Sequence, residues 1–158
     1  NGTTVTRLAD TANGAGDAST FNDSEGVLMA EISAFSETGS AGLISLSDGT
    51  NSNRITIELD GNIVKGRLTP SVGVLNASTN ITISTKIALK YKENDFALWV
   101  NGLEVAVSNS GNTFSNGTLT ELSFNRGDSA ENFYGNVKDV RLYNTALTDL
   151  ELQQLTTI

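Results

Sequence analysis

The sequence contains neither cysteine nor histidine, and it has a single proline. Without cysteine and histidine there are no disulfide bonds, no usual zinc sites and no thiol nucleophile, and every Ser–His or Cys–His mechanism is excluded. No apolar run approaches the length of a membrane span, and no signal peptide is visible. Because the chain begins at Asn1 rather than at a methionine, we expect it to be a segment of a longer polypeptide.

Positive charge is also scarce. Lysine and arginine number 10 against 18 aspartates and glutamates, which gives a formal net charge of −8. An acidic surface repels phosphate backbones and anionic lipid. We therefore predict no nucleic-acid partner and no membrane insertion.

What the chain does contain is typical of a β protein. Hydrophobic residues make up 38% of it, charged residues 18%, and there are 15 glycines. From Phe21 onward, short apolar runs alternate with turn residues roughly every ten residues, as in a β-sandwich. We predict one such domain over residues 21–158, preceded by a linker or edge strand over residues 1–20.

Several local patterns predict individual elements. Apolar and polar residues alternate from Arg54 to Leu59, which indicates a strand with one buried face. Asn101-Gly102 lies between two apolar runs and predicts a tight hairpin. Thr148 and Glu151 have the spacing of a capping box, which predicts a short C-terminal helix. The strand pattern is weak from Thr69 to Asn80. The expected core is Val27, Met29, Ile55, Ile57, Leu89, Phe96, Leu98, Val100, Val140 and Leu142.

Two motifs near the C-terminus carry a family resemblance. A glycine precedes the last strand, which runs into a Tyr-Asn-x-Ala-Leu-Thr-x-x-Glu pattern formed by Gly135, Tyr143, Asn144, Ala146, Leu147, Thr148 and Glu151. The upstream hairpin reads Phe-Ala-Leu-Trp-Val-Asn-Gly over residues 96–102. Both motifs resemble those of laminin-G-like, concanavalin A-like domains. The resemblance implies an all-β fold, a two-sheet antiparallel jelly-roll sandwich with one short C-terminal helix.

A second, more specific resemblance concerns the kind of protein that contains the domain. The run from Lys86 to Leu98, together with residues 125–128 and 133–135, is similar to versions of the domain in bacteriophage tail-fibre and other virion proteins. That similarity implies a location in a virion or outside the cell, recognition of a host cell-surface receptor, and a homotrimer within a fibre.

Catalysis is disfavoured by a missing pattern. Glucanases of this superfamily carry Glu-x-Asp-x-x-Glu on one strand, which places their carboxylates on one face. No such spacing occurs here: Glu31 has no acidic partner at the right offset, and Glu58 is followed only by Asp60. We predict no catalytic residue and no enzymatic activity.

Strand alternation suggests instead a ligand-binding sheet face. If Phe96, Leu98 and Val100 point to the core, Trp99 points outward. The same rule turns five charged residues outward on other strands, Asp139 among them, and an exposed aromatic among charged side chains suits a sugar ring. The predicted ligand-binding residues are Trp99, Arg54, Lys90, Arg141 and Glu58. The alternatives are a Trp99 buried under a neighbouring segment, with the charges in cross-strand pairs, and a site in the loops at the sandwich edge.

Calcium is the cofactor that the resemblance implies, because domains of this family often bind Ca²⁺ at one rim through Asp and Asn oxygens. The predicted ligands are Asp128, in Asn-Arg-Gly-Asp, and Asp23, in Asn-Asp-Ser. Both also fit ordinary turn chemistry.

Three functions follow from these observations. The first is a non-catalytic module that recognises a carbohydrate or cell-surface ligand as part of a phage tail fibre or other virion adhesin. The second is a carbohydrate-binding appendage of a secreted bacterial enzyme that degrades polysaccharides. The third is a purely structural fibre domain that binds nothing.

Overall fold

The computed structural model describes residues 12, 14–33, 42–61, 63–78 and 84–158. Ten strands and one helix lie in these ranges. They are β1 Glu25–Ser33, β2 Gly42–Ser47, β3 Arg54–Asp60, β4 Ile63–Thr69, β5 Gly73–Ser78, β6 Thr85–Lys92, β7 Phe96–Val100, β8 Leu103–Ser108, β9 Glu121–Ser123, β10 Asn136–Tyr143 and α1 Asp149–Thr156. The helix is too short to cross a membrane, and no other helix occurs in the described ranges.

The strands form two five-stranded sheets. Sheet A has the order β10-β1-β6-β7-β8, and sheet B has the order β5-β4-β3-β2-β9. Every paired strand runs antiparallel to its neighbour. The predicted jelly-roll sandwich with one short C-terminal helix is confirmed. The predicted boundary at residue 20 stays a prediction, since most of residues 1–13 lies outside the described ranges.

The main core lies between the two sheets. Alternate residues of each central strand point into it, among them Leu28 of β1, Ile57 of β3 and Leu98 of β7. Of the expected core, Ile55, Ile57, Leu89, Phe96, Leu98 and Val100 are buried there, with Val140 and Leu142 packed against them. Val27 and Met29 are buried too, but in a second cluster. Their placement in the inter-sheet core was wrong, because β1 turns these residues to the opposite face of sheet A.

The second cluster lies on the outer face of sheet A, the face turned away from sheet B. Helix α1 covers it and inserts Leu152 among Val27, Met29 and Trp99. The predicted capping box starts this helix: the Thr148 hydroxyl accepts the Glu151 N–H, and the Glu151 carboxylate accepts the Thr148 N–H. An amphipathic C-terminal segment therefore closes one face of the sandwich.

Two further local features, a hairpin and an edge strand, can be compared with the predictions made from the sequence. The Asn101-Gly102 hairpin is confirmed, and both residues have positive φ values, 50° and 80°, as its turn type requires. Strand β5 falls in the segment where the strand pattern was weak. It is an edge strand, and of its residues 73–77 Leu75 and Ala77 are buried, so few apolar residues mark it.

Gly26 permits a close approach in sheet A. A Cβ at this position would lie 2.5 Å from the carbonyl oxygen of Tyr143 and 2.6 Å from the hydroxyl of Tyr91. Tyr91 is fully buried, and its hydroxyl donates to the carbonyl oxygen of Asn22 at 2.7 Å. Burial, followed by the nearby carboxylates of Asp23 and Glu25, raises the pKa of Tyr91, so this hydroxyl remains protonated and keeps its bond.

We predict that Gly26→Ala destabilises the fold. The added methyl group meets a backbone carbonyl that cannot move freely, so we expect the free energy of unfolding to fall by about 1–3 kcal/mol. Urea denaturation followed by circular dichroism measures the change. Gln154→Ala, on the exposed side of α1, is the control and should stay within about 0.5 kcal/mol of the parent. Equal stability of the two variants would contradict this account of Gly26.

Candidate functional site

The predicted ligand-binding residues lie on two opposite sides of the sandwich. Trp99, Lys90 and Arg141 belong to β7, β6 and β10 of sheet A. Arg54 and Glu58 belong to β3 of sheet B. The sandwich core separates these groups, so the five residues do not form one site.

Trp99 is buried rather than exposed. Only 7% of its surface is accessible, because α1 lies over it. The expectation of an exposed aromatic platform was therefore wrong, and the alternative of a tryptophan covered by a neighbouring segment describes its surroundings. Sequence alternation correctly gave the direction of the side chain, but it carried no information about the helix that packs there.

Lys90 and Arg141 are engaged in ion pairs on the outer face of sheet A. Lys90 is 6% exposed, and its Nζ lies 2.6 Å from Asp95. Arg141 is exposed, and its Nε lies 2.6 Å from Asp139. Their charges are already compensated within the chain.

The two aspartates predicted to bind calcium also have partners. Asp23 is buried, and its carboxylate accepts the N–H groups of Gly117 at 2.6 Å and Leu119 at 2.8 Å. Asp128 accepts from the guanidinium of Arg126 at 2.8 Å, and this contact holds the pKa of its carboxyl below the usual value. Among the described residues, no three Asp, Glu, His or Cys side chains are grouped to hold a metal ion. Calcium stays a prediction.

The outer face of sheet B, turned away from sheet A, carries a different arrangement. Ile55 and Ile57 point into the core, so Arg54, Thr56 and Glu58 point outward. All three are nevertheless buried. Their cross-strand partners are Ser47, Ser45 and Leu43 on β2 and Thr69, Arg67 and Lys65 on β4.

A loop after β9 forms one wall of this face. It spans residues 124–133, and the Phe133 N–H donates to the carbonyl oxygen of Phe124 at 2.8 Å across its base. Gly127 rests on β2 so closely that a Cβ there would lie 2.8 Å from the Ser47 hydroxyl. The backbone of Gly127 has a φ of 102°, which a glycine adopts without strain. The loop thereby shields polar side chains that an open sheet would expose.

Arg54 is a buried cation without a carboxylate partner. It is 9% exposed. Its Nη1 donates to the carbonyl oxygen of Asn51 at 2.7 Å, while its buried Nε has no partner. Burial, and then the guanidinium groups of Arg67 and Arg126, lower the pKa of Arg54. Within the described residues, no acidic side chain lies within ion-pair distance of it.

Arg67 and Thr56, like Arg54, each have a buried polar atom without a hydrogen-bond partner. They are cross-strand partners on neighbouring strands. Arg67 Nη2 lies 3.4 Å from the Glu58 carboxylate, and its buried Nε has no partner. The buried Thr56 hydroxyl also has none. We call Arg54, Thr56 and Arg67 the arginine site. These residues hold three of the four buried, unpartnered polar side-chain atoms found in the described residues; the fourth is the Trp99 indole nitrogen.

The chemistry of the arginine site favours a small anion. A guanidinium offers its N–H groups in a fixed planar fork that matches a carboxylate. The Thr56 hydroxyl can both donate and accept a hydrogen bond. The sequence correctly predicted the outward direction of Arg54 and Glu58, but Arg67 was not among the predicted residues. Its signal is the alternation of Lys65 and Arg67 with Val64, Gly66 and Leu68 along β4.

We predict that Trp99 is a structural residue. Replacing it by alanine leaves a cavity under α1, so Trp99→Ala should lower the free energy of unfolding by about 3–5 kcal/mol. Trp99→Phe retains most of the apolar contact and should cost less. Urea denaturation followed by far-ultraviolet circular dichroism distinguishes the two variants. A Trp99→Ala protein as stable as the parent would show that α1 does not depend on this contact.

Comparisons with known proteins identify similar folds. No protein-family model matches the chain, and no curated protein matches it. Among solved structures, the CBM40 module of the Ruminococcus gnavus IT-sialidase, bound to α2,3-sialyllactose, is 20% identical with a TM-score of 0.72 over 87% of this chain and 84% of that one. Domain 4 of an extracellular arabinanase from Geobacillus stearothermophilus, in complex with arabinotriose, is 15% identical with a TM-score of 0.67, covering 90% and 70%.

A larger protein is also similar. A sialidase from Streptococcus pneumoniae is 14% identical with a TM-score of 0.69, and the match covers 89% of this chain but 25% of the sialidase. At these identities, what the chain shares with its structural neighbours is the jelly-roll fold.

Proposed function

We propose that this chain is a non-catalytic carbohydrate-binding module that holds an acidic glycan on the outer face of sheet B, with the sugar carboxylate at the arginine site. The observation that carries the proposal is Arg54, a buried guanidinium that has no carboxylate partner among the described residues and lies beside Arg67. A buried charge is costly unless it is paired. A ligand carboxylate supplies the missing pair.

The surrounding groups suit a sugar rather than a bare anion. Thr56 offers an unpartnered hydroxyl at the centre of the face. Next to it, Ser45 shares a hydrogen bond with Ser123 at 2.9 Å. A hydroxyl can donate and accept hydrogen bonds with a sugar, but Thr56 and Ser45 are both fully buried, so such contacts require the residues that cover them to move. The proposal therefore rests on the arginines, which bind the acidic group.

The structural neighbours support a glycan ligand. Their structures include complexes with α2,3-sialyllactose, α2,6-sialyllactose and arabinotriose. Sialyllactose carries one carboxylate, whereas arabinotriose is neutral. The arginine site favours the acidic type for this chain. The lack of histidine, cysteine and a paired-carboxylate strand supports binding without catalysis.

The structural neighbours also favour an enzyme appendage over a phage tail fibre. The chain matches about a quarter of the pneumococcal sialidase, which supports an appendage of a secreted, polysaccharide-degrading enzyme. The phage tail-fibre setting, with its host receptor and homotrimer, rests on the likeness of short sequence segments alone. We therefore favour the enzyme appendage and an extracellular location.

Calorimetric titration with sialyllactose, lactose and arabinotriose tests the ligand class. We expect the parent protein to bind sialyllactose more tightly than lactose, its neutral counterpart, because only the former brings a carboxylate to Arg54. Binding to none of a broad set of immobilised glycans would overturn the carbohydrate-binding function. Equal affinity for sialyllactose and lactose would overturn the requirement for an acidic group.

Arg54→Gln tests the site. Losing a charge-assisted hydrogen-bond partner should weaken sialyllactose binding roughly 10- to 100-fold, and Arg67→Gln should act in the same direction. Arg141→Gln removes an arginine from the opposite sheet and should leave affinity unchanged. Circular dichroism melts confirm that each variant is folded. Unchanged affinity in folded Arg54→Gln, or an equal loss in Arg141→Gln, would contradict the site assignment.

A further inference from the structure

Carboxylates surround the arginine site closely. The charged side chains on and beside this face are the cations Arg54, Lys65, Arg67 and Arg126 and the anions Glu58, Asp60, Glu121, Asp128 and Glu131. Arg126 is paired with Asp128 at 2.8 Å and with Glu131 at 2.7 Å. Lys65 is paired with Asp60 at 2.7 Å. Of the four cations, Arg54 alone has no ion-pair partner in the described part of the chain.

Glu58 occupies the central position in this network. Its side chain is only 9% exposed, and its two carboxylate oxygens lie 3.4 Å from Lys65 Nζ and 3.4 Å from Arg67 Nη2. Both distances are long for charge-assisted hydrogen bonds. Lys65 also has Asp60 as a partner, whereas Glu58 is the one carboxylate within ion-pair distance of Arg67 among the described residues.

We propose that Glu58 is a specificity-determining residue that restricts the arginine site to one isolated carboxylate and excludes polyanionic chains. This inference rests on the proposed function and deepens it. With Glu58 ionised, Arg54 is the one of these four cations that has no ion-pair partner in the described residues, and a single ligand carboxylate supplies that partner.

Electrostatics explains why a polyanion is rejected. A sulfated or polyuronic chain that places one anion at Arg54 brings its next anions toward Glu58 on one side or toward Asp128 and Glu131 on the other. Like charges brought together at a partly desolvated surface oppose binding. The net charge of −8 adds a long-range repulsion. A ligand with a single carboxylate and neutral neighbouring sugars avoids the short-range repulsion, and the net charge repels it less strongly than it repels a polyanion.

Glu58→Gln removes this restriction while keeping the size of the side chain. It leaves Arg67 uncompensated beside Arg54, so the face gains a second cation for a second ligand anion. We expect affinity for heparin, a sulfated polysaccharide, to rise at least about tenfold. Affinity for a glycan with one carboxylate should rise only a few-fold. Titrations of both probes into the same protein preparations, at one fixed ionic strength, measure the two changes.

Glu31→Gln is the matched control. Glu31 lies on β1 of sheet A, is partly buried, and is ion-paired with Lys138 at 3.5 Å. The substitution changes the net charge by the same amount far from the arginine site, so heparin affinity should stay near the parent value. An equal rise in both variants would assign the effect to net charge and overturn the proposal.

Two further results would also overturn it. If folded Glu58→Gln loses the acidic glycan, Glu58 is a ligand contact rather than a selector. If heparin binding stays as weak as in the parent, Glu58 does not exclude polyanions. Glu131→Gln on the exposed loop provides a second variant should Glu58→Gln fail to fold; it should raise heparin affinity in the same direction, and no rise would count against the proposal.

The heparin comparison needs no glycan ligand for the parent protein. Absence of acidic-glycan binding by every variant would therefore overturn the proposed function, while the heparin result would still report on Glu58. The two failures are distinguishable.

Discussion

The packing of one sheet against the other is the constraint on which the arginine site depends. Ile55 and Ile57 must enter the core between the sheets, and in a strand every second side chain then points the other way. Arg54, Thr56 and Glu58 are thereby fixed on the outer face of sheet B at regular spacing. The apolar core holds the polar face in position without contacting any ligand.

Burial of that polar face has a separate cause. A bare sheet would leave Arg54 in water, where its charge needs no partner. The loop of residues 124–133 and the turn at Asn51 instead close around it. Once water is excluded, an uncompensated guanidinium becomes an unfavourable feature of the folded state. A ligand carboxylate at this position would offset that cost, and this is the physical basis of the proposed acidic-glycan binding.

The outer face of sheet A shows the opposite outcome. Its strands also place an aromatic and charged side chains outward, and in the sequence this face looks the better candidate for sugar binding. Helix α1 covers Trp99 with Leu152, and Lys90 is neutralised by Asp95. Residues that alternation turns outward on a strand are thus either exposed to solvent or covered by another element, and the packing of that element decides which.

The sequence by itself determined the sandwich, the Asn101-Gly102 hairpin, the capped C-terminal helix and the outward direction of Arg54, because alternation, turn chemistry and capping act over a few neighbouring residues. Only the tertiary structure decided that α1 covers the outward residues of sheet A and that the loop of residues 124–133 packs on β2, and it alone brought Arg67 beside Arg54. Those contacts join residues on different strands, and their register and coverage depend on how the whole chain packs.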